Sequence, residues 1–103
     1  MIEMLFVGGC VATAAMFPLE IENVRREGDR TITLVRAENR SDCAIDRIMF
    51  ECTYRNEAGE ALTLARGRVR LLAPGTAGYD EVPMTMVGLH SVSCRPTTVQ
   101  DAP

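Results

Sequence analysis

An alternation of apolar and polar side chains organises the stretch from Asp46 to Gly59, which reads DRIMFECTYRNEAG. Four apolar residues fall two apart in it: Ile48, Phe50, Cys52 and Tyr54. In an extended chain such residues share one face, while their polar neighbours point the other way. The stretch ends with Asn56 and Gly59, residue types that suit a short hairpin connection. It therefore predicts a strand and turn that supply one face of a β-sandwich core.

Five further segments have the short length and the β-branched or apolar content of strands. They are residues 19–26, 31–38, 61–72, 78–82 and 89–95. Turn formers separate them, and none has the three- and four-residue spacing of an ordinary helix. Gly67 is expected to mark a bulge or kink, and Pro83 to end a strand or place it at an edge. The pattern predicts an all-β fold, an antiparallel sandwich of six to seven strands.

The composition limits the chain to one small domain without a general nucleic-acid partner. Its 103 residues are 47% hydrophobic and 24% charged, which is enough apolar material for one modest core. The formal net charge is -3, whereas a nucleic-acid binder needs a basic footprint. All 11 basic residues are arginine, which suits bidentate carboxylate pairing but is also typical of a GC-rich genome.

The first residues predict a targeting segment. Residues 4–17 carry no charge but are too few to span a bilayer, which takes about 20 apolar residues. Small residues around Ala15 suit a signal-peptidase site, so residues 1–15 are interpreted as a signal peptide or apolar leader. The n-region departs from this pattern, because it contains Glu3 and no basic residue. Two alternatives remain: a lipoprotein in which Cys10 is lipidated, or a first core strand of a cytosolic protein.

The cysteines carry the strongest chemical signal. Cys52 is in phase with Phe50, and Cys94 with Val92, so both are expected to face the interior. Their disulfide would close a loop of roughly forty residues and contribute on the order of 3 to 4 kcal/mol. Cys43 lies in a predicted turn and could pair with either of them instead. All could also be thiols in a reducing cytosol.

The motifs that accompany catalysis or metal binding are missing from the sequence. His90 is the one histidine, and no G-x-S-x-G element, C-x-x-C pair or phosphate-binding glycine loop accompanies it. The acidic pairs, such as Asp80 with Glu81, are expected to be exposed. The sequence therefore predicts no enzyme, no metal and no cofactor.

Arg66, Arg68 and Arg70 form an arginine ladder in the predicted fourth strand. Their spacing places three guanidinium groups on one strand face over roughly 13 Å. One interpretation is a solvated face neutralised by partners such as Glu51 or Glu38. The other is a docking strip for an acidic protein, a polysaccharide or a lipid headgroup.

Three further motifs resemble the FxLYD-type family of immunoglobulin-like bacterial domains. The segments VRAENRS, IMFECTYRNEAG and LLAPGT supply the residues that match: Asn39, Tyr54, Asn56, Gly59, Leu72, Pro74 and Gly75. The resemblance covers residues 19–95, and it departs from the family pattern at Asn56, where an acidic residue is usual, and at Arg55, where a second aromatic is usual. It implies an immunoglobulin-like sandwich and lends no catalytic residues.

Together these features divide the chain into a leader (residues 1–15), a β-sandwich domain (16–96) and a flexible tail (97–103). The expected function is a non-catalytic periplasmic or secreted bacterial module that binds a protein or another envelope component. The alternative is a cytosolic or phage-associated assembly subunit in which residues 1–17 form a core strand.

Overall fold

The computed structural model describes residues 5–7 and 13–102 of the chain. In this part the chain forms seven strands and one turn of 3-10 helix, Ala14–Met16. The strands are β1 (Leu5–Val7), β2 (Leu19–Glu27), β3 (Arg30–Glu38), β4 (Ile45–Arg55), β5 (Ala61–Leu72), β6 (Ala77–Met84) and β7 (Ser91–Asp101).

The strands form the two sheets of a β-sandwich. One sheet has the order β1-β7-β4-β5, and the other has the order β2-β3-β6. All neighbours from β2 to β7 pair antiparallel, whereas β1 pairs parallel with β7. The all-β fold and the six strands expected from the sequence are confirmed.

Strand β4 lies between β5 and β7, and its inward side chains form the centre of the core. Ile48, Phe50, Cys52 and Tyr54 are each at most 1% exposed, as the alternation predicts. The hydroxyl of Tyr54 lies 2.8 Å from Oγ1 of the buried Thr33 on the facing sheet. This contact satisfies both buried polar groups, since a hydroxyl both donates and accepts.

Cys52 and Cys94 form the expected disulfide. They lie directly opposite each other in the β4–β7 register, with Cα atoms 4.0 Å apart. The bond therefore connects two neighbouring strands of one sheet, across a sequence separation of 42. Cys43 is also disulfide-bonded, so the idea that it takes the place of one of these two partners is wrong.

A buried asparagine, Asn39, connects several backbone segments at the end of the sandwich opposite Tyr54. The Asn39 side-chain amide donates to the carbonyls of Cys43, at 2.7 Å, and Leu72, at 3.0 Å. Its oxygen accepts from the backbone N–H of Ser41, and its backbone N–H donates to Thr76. One side chain that is 0% exposed thus satisfies a carbonyl of the β3–β4 loop and the carbonyl at the end of β5, which explains why a turn former stands after β3.

The prediction of a flexible tail at residues 97–103 is wrong for residues 97–101. Strand β7 continues through Asp101, and Val99 is 0% exposed opposite Ile48. Pro96 suggested a strand end because it has no N–H to donate. It is tolerated because it adjoins a register shift in the β4–β7 pairing, where ladder hydrogen bonds are interrupted.

The N-terminal predictions fall mostly outside the described residues. Residues 1–4 and 8–12, including the candidate lipidation site Cys10, are not described. Leu5–Val7 form β1, and the carbonyl of Met16 accepts a hydrogen bond from the N–H of Arg40 at 2.8 Å. Phe17, just after the predicted cleavage site, is fully buried and belongs to the core. The signal peptide stays a prediction.

Gly67 does not mark a bulge, because its pairing with Phe50 has no register shift. A methyl group at this position would overlap Cζ of the Phe50 ring and lie 2.7 Å from Oδ2 of Asp80. Glycine is therefore required here for space: the Phe50 ring occupies the volume that a side chain would fill.

We expect Gly67→Ala to lower the free energy of unfolding by about 1–3 kcal/mol, because an added carbon in a packed core forces neighbours to shift. Urea unfolding measures the loss. The variant Phe50→Leu/Gly67→Ala is the control, since a smaller side chain at position 50 should make the alanine much better tolerated. Equal losses from Gly67→Ala with and without Phe50→Leu would contradict this explanation.

Candidate functional site

The arginine ladder lies on the outer face of the four-stranded sheet. Arg66, Arg68 and Arg70 are all exposed, and the side chain of Arg66 is 80% accessible. The β4–β5 register places them opposite Glu51, Met49 and Arg47, respectively. Because β4 buries its other row of side chains, these three positions must point outward.

The neighbouring strands add two arginines to the ladder. Arg47 comes from β4, and Arg95 comes from β7, where it pairs with Glu51. We call the five residues Arg47, Arg66, Arg68, Arg70 and Arg95 the arginine face. Sequence reasoning missed Arg47 and Arg95, because only the strand order brings three distant segments side by side.

The carboxylates on this face only partly balance its charge. Glu51 lies 3.9 Å from Arg66 and 3.6 Å from Arg95, measured between carboxylate oxygen and guanidinium nitrogen. Asp46 lies 3.9 Å from Arg70. Long pairs at a wet surface typically contribute less than 1 kcal/mol. The expected partner Glu38 lies elsewhere and contacts Arg36 and Arg40.

Arg68 is an exposed cation of the face that lacks a close carboxylate among the described residues. No carboxylate of the described residues lies within 4 Å of its guanidinium group, whereas its neighbours Arg66 and Arg70 each have one. Its backbone N–H donates to Oδ2 of Asp80, at 2.9 Å. Asp80 is half-buried and not fully exposed as the sequence suggests. Its carboxylate occupies a backbone donor at the edge of β5 and so limits strand addition there.

Two exposed leucines extend the same row of side chains. Leu62 and Leu64 precede the arginines at the two-residue spacing of β5, and they are 39% and 55% exposed. The outer row of this strand thus changes from apolar at one end to basic at the other. Exposed apolar side chains beside arginines are a combination found in the centres of protein interfaces.

The outer face of the other sheet has the opposite character. Nε of Arg25 donates to Glu27 at 2.7 Å, and Nη2 of the same residue donates to Glu81 at 2.6 Å. The hydrogen bond from Arg25 lowers the pKa of Glu27 below its ordinary value. Arg36 likewise lies among carboxylates, near Glu22 and Glu38. Arg25 is therefore closer to its carboxylate partners than the arginines of the arginine face are to theirs, whereas the Arg36 pairs, at 3.5 and 3.9 Å, are of similar length.

Neither a metal centre nor a membrane helix occurs within residues 5–7 and 13–102. No three His, Cys, Asp or Glu side chains there come close enough together to hold a metal ion. No helix in the same part of the chain is long and apolar enough to cross a membrane.

Comparison with known proteins leaves the arginine face as the main guide to function. No protein-family model, curated protein or solved structure matches the chain. The resemblance to FxLYD-type domains stays an expectation drawn from the sequence.

We expect the triple variant Arg66→Ser/Arg68→Ser/Arg70→Ser to fold with nearly unchanged stability, because substitutions at exposed positions typically change it by less than about 0.5 kcal/mol each. Val69→Ser is the matched control on the same strand. Val69 is 3% exposed, so its replacement should cost about 2 kcal/mol. Thermal unfolding measures both. A triple variant as unstable as Val69→Ser would mean that the ladder has a structural role.

Proposed function

We propose that this chain is a non-catalytic, extracytoplasmic β-sandwich module that binds an acidic protein partner through the arginine face. The observation that carries the proposal is the row of exposed arginines on one sheet face of an acidic chain: Arg66, Arg68, Arg70 and Arg95 are exposed, and the half-buried Arg47, which donates to Gln100, lies beside them. Guanidinium groups bind carboxylates through two parallel hydrogen bonds, which gives such a face selectivity as well as attraction.

Disulfide chemistry supports an extracytoplasmic location. Cys43, Cys52 and Cys94 are all disulfide-bonded. Structural disulfides persist in the periplasm and outside the cell, and they are rare in the reducing cytosol. The predicted leader agrees with this location. The small size of the domain agrees with it too, because a small domain buries little apolar surface and gains stability from cross-links.

A protein partner fits the face better than a polysaccharide or a lipid headgroup. Strand β5 has 12 residues, so the three long strands β7, β4 and β5 together offer roughly 40 by 15 Å, or about 600 Å². This area is slightly below the roughly 800 Å² per partner of a standard interface, which favours a transient complex. Leu62 and Leu64 supply apolar contact area beside the cations, as a protein interface requires.

A capture experiment tests the proposal. The wild-type protein and the Arg66/Arg68/Arg70→Ser variant are immobilised and exposed to a cell-envelope extract of the source organism. We expect a defined acidic protein to be retained by the wild type and lost from the variant. Retention should weaken steeply above roughly 0.15 M salt, because exposed charges are screened within about 8 Å there.

A charge-matched variant is the control. Arg25→Ser/Arg36→Ser/Arg40→Ser removes the same number of positive charges from outside the arginine face, so it should keep the captured protein. Loss of capture by both triple variants would show that net charge alone decides binding. Identical capture by all three proteins would overturn the proposed role of the face.

The alternative function, a cytosolic or phage-associated assembly subunit, has one observation in its favour. Leu5–Val7 pairs with β7, as an N-terminal segment retained in the domain would. Cys43 bears on the same question, because its disulfide partner is neither Cys52 nor Cys94.

Mass spectrometry of the protein from its native host separates the two functions. A mature N-terminus near Ala15 in the envelope fraction supports the exported module. A cytosolic protein with an intact Met1 and free thiols supports the assembly subunit. Digestion without reduction identifies the partner of Cys43: a peptide joined to Cys10 would mean that the first residues are retained, which the exported module tolerates only without cleavage at Ala15.

A further inference from the structure

A cleft of about 510 Å³ opens between the two sheets, at the end of the sandwich where β7 begins. Its apolar wall consists of Ile21 and Val24 from β2, Tyr54 from β4, and Leu89 and Val92 from the start of β7 and the loop before it. The volume lies in the range of small-molecule sites, which are mostly apolar with a few polar groups.

A bulge in β2 determines which side chains of this strand face the cleft. The β2–β3 register shifts between Ile21 and Asn23, so the inward row continues at Val24 and Arg26. Val24 pairs with Thr33, a fully buried residue of β3, yet Val24 remains 47% exposed. An inward valine that is half exposed indicates that the two sheets separate here and that the core leaves the space between them open.

Arg26 supplies a cation to the same cleft. Arg26 and His90 both line it, together with Thr31 and Ser91. No carboxylate of the described residues lies within 4 Å of the Arg26 guanidinium, whereas the adjacent Arg25 contacts Glu27 and Glu81. The loop side of the cleft is fixed, because the N–H of His90 donates to the carbonyl of Arg55 at 2.8 Å.

We propose that this cleft binds an aliphatic carboxylate, with the acyl chain between the sheets and the carboxylate on Arg26. The apolar wall matches the chain of such a ligand, and the Arg26 guanidinium, which has no carboxylate within 4 Å among the described residues, matches its head group. This site is separate from the arginine face, since its residues point between the sheets, so the two proposals fail independently.

Calorimetric titration with decanoate tests the proposal, with decyltrimethylammonium as a ligand of the same chain length and opposite charge. We expect saturable binding of decanoate that is at least tenfold tighter than binding of the cation. Arg26→Gln should weaken the binding of decanoate about tenfold and leave the binding of decyltrimethylammonium unchanged. Arg25→Gln is the matched control and should change neither affinity.

A second variant separates the cleft from other surfaces. Val24→Trp places a large ring in the open space and should abolish binding of both ligands, while circular dichroism and the melting temperature report whether the variant is folded. Arg66→Gln should have no effect. The absence of saturable decanoate binding, or binding that survives both Arg26→Gln and Val24→Trp, would overturn the proposal.

Discussion

The register of β4 is the constraint on which both faces of the four-stranded sheet depend, the buried apolar row and the arginine face. The strand pairs along its whole length with β5 on one side and β7 on the other. A shift by one residue would move Ile48 and Phe50 to the surface and bury Arg47 and Glu51. Burial of the apolar row therefore selects one register, and the same register collects the five arginines on the opposite face. The Cys52–Cys94 bond reinforces that choice, since its partners must be opposite each other.

Close packing beneath β5 is also related to how the edge of the arginine face is protected. The Phe50 ring occupies the space where a side chain at Gly67 would be, and the carboxylate of Asp80 from β6 lies close to β5 at the same point. Asp80 of β6 can then reach the backbone N–H of Arg68. This hydrogen bond uses a donor that an unprotected edge strand would offer to other chains. The Arg68 side chain remains exposed, so the edge is protected while the cation stays accessible to a partner.

The sequence predicted what depends on local alternation and failed where tertiary contacts decide. It identified six strands, the buried row of β4 and the pairing of Cys52 with Cys94, because each follows from two-residue periodicity. It ended the last strand at Arg95, before Pro96, since the register shift that accommodates this proline is visible only in the paired strands. It could not foresee Arg47 and Arg95 beside the ladder, or Arg26 in the cleft. The strand order brings Arg47 and Arg95 beside the ladder, and the bulge in β2 turns Arg26 toward the cleft.

The most direct test of the account is an NMR titration with a soluble polyglutamate peptide as the acidic probe. Amide and arginine side-chain signals are followed at low salt and again at high salt. We expect shifts at the outward positions of β4, β5 and β7, greatest at Arg68, that disappear when salt is raised. Signals from the outer face of β2, β3 and β6 should not move. Shifts spread evenly over both sheets, or confined to the face around Arg25, would contradict the proposal that the arginine face on β4, β5 and β7 is the binding surface.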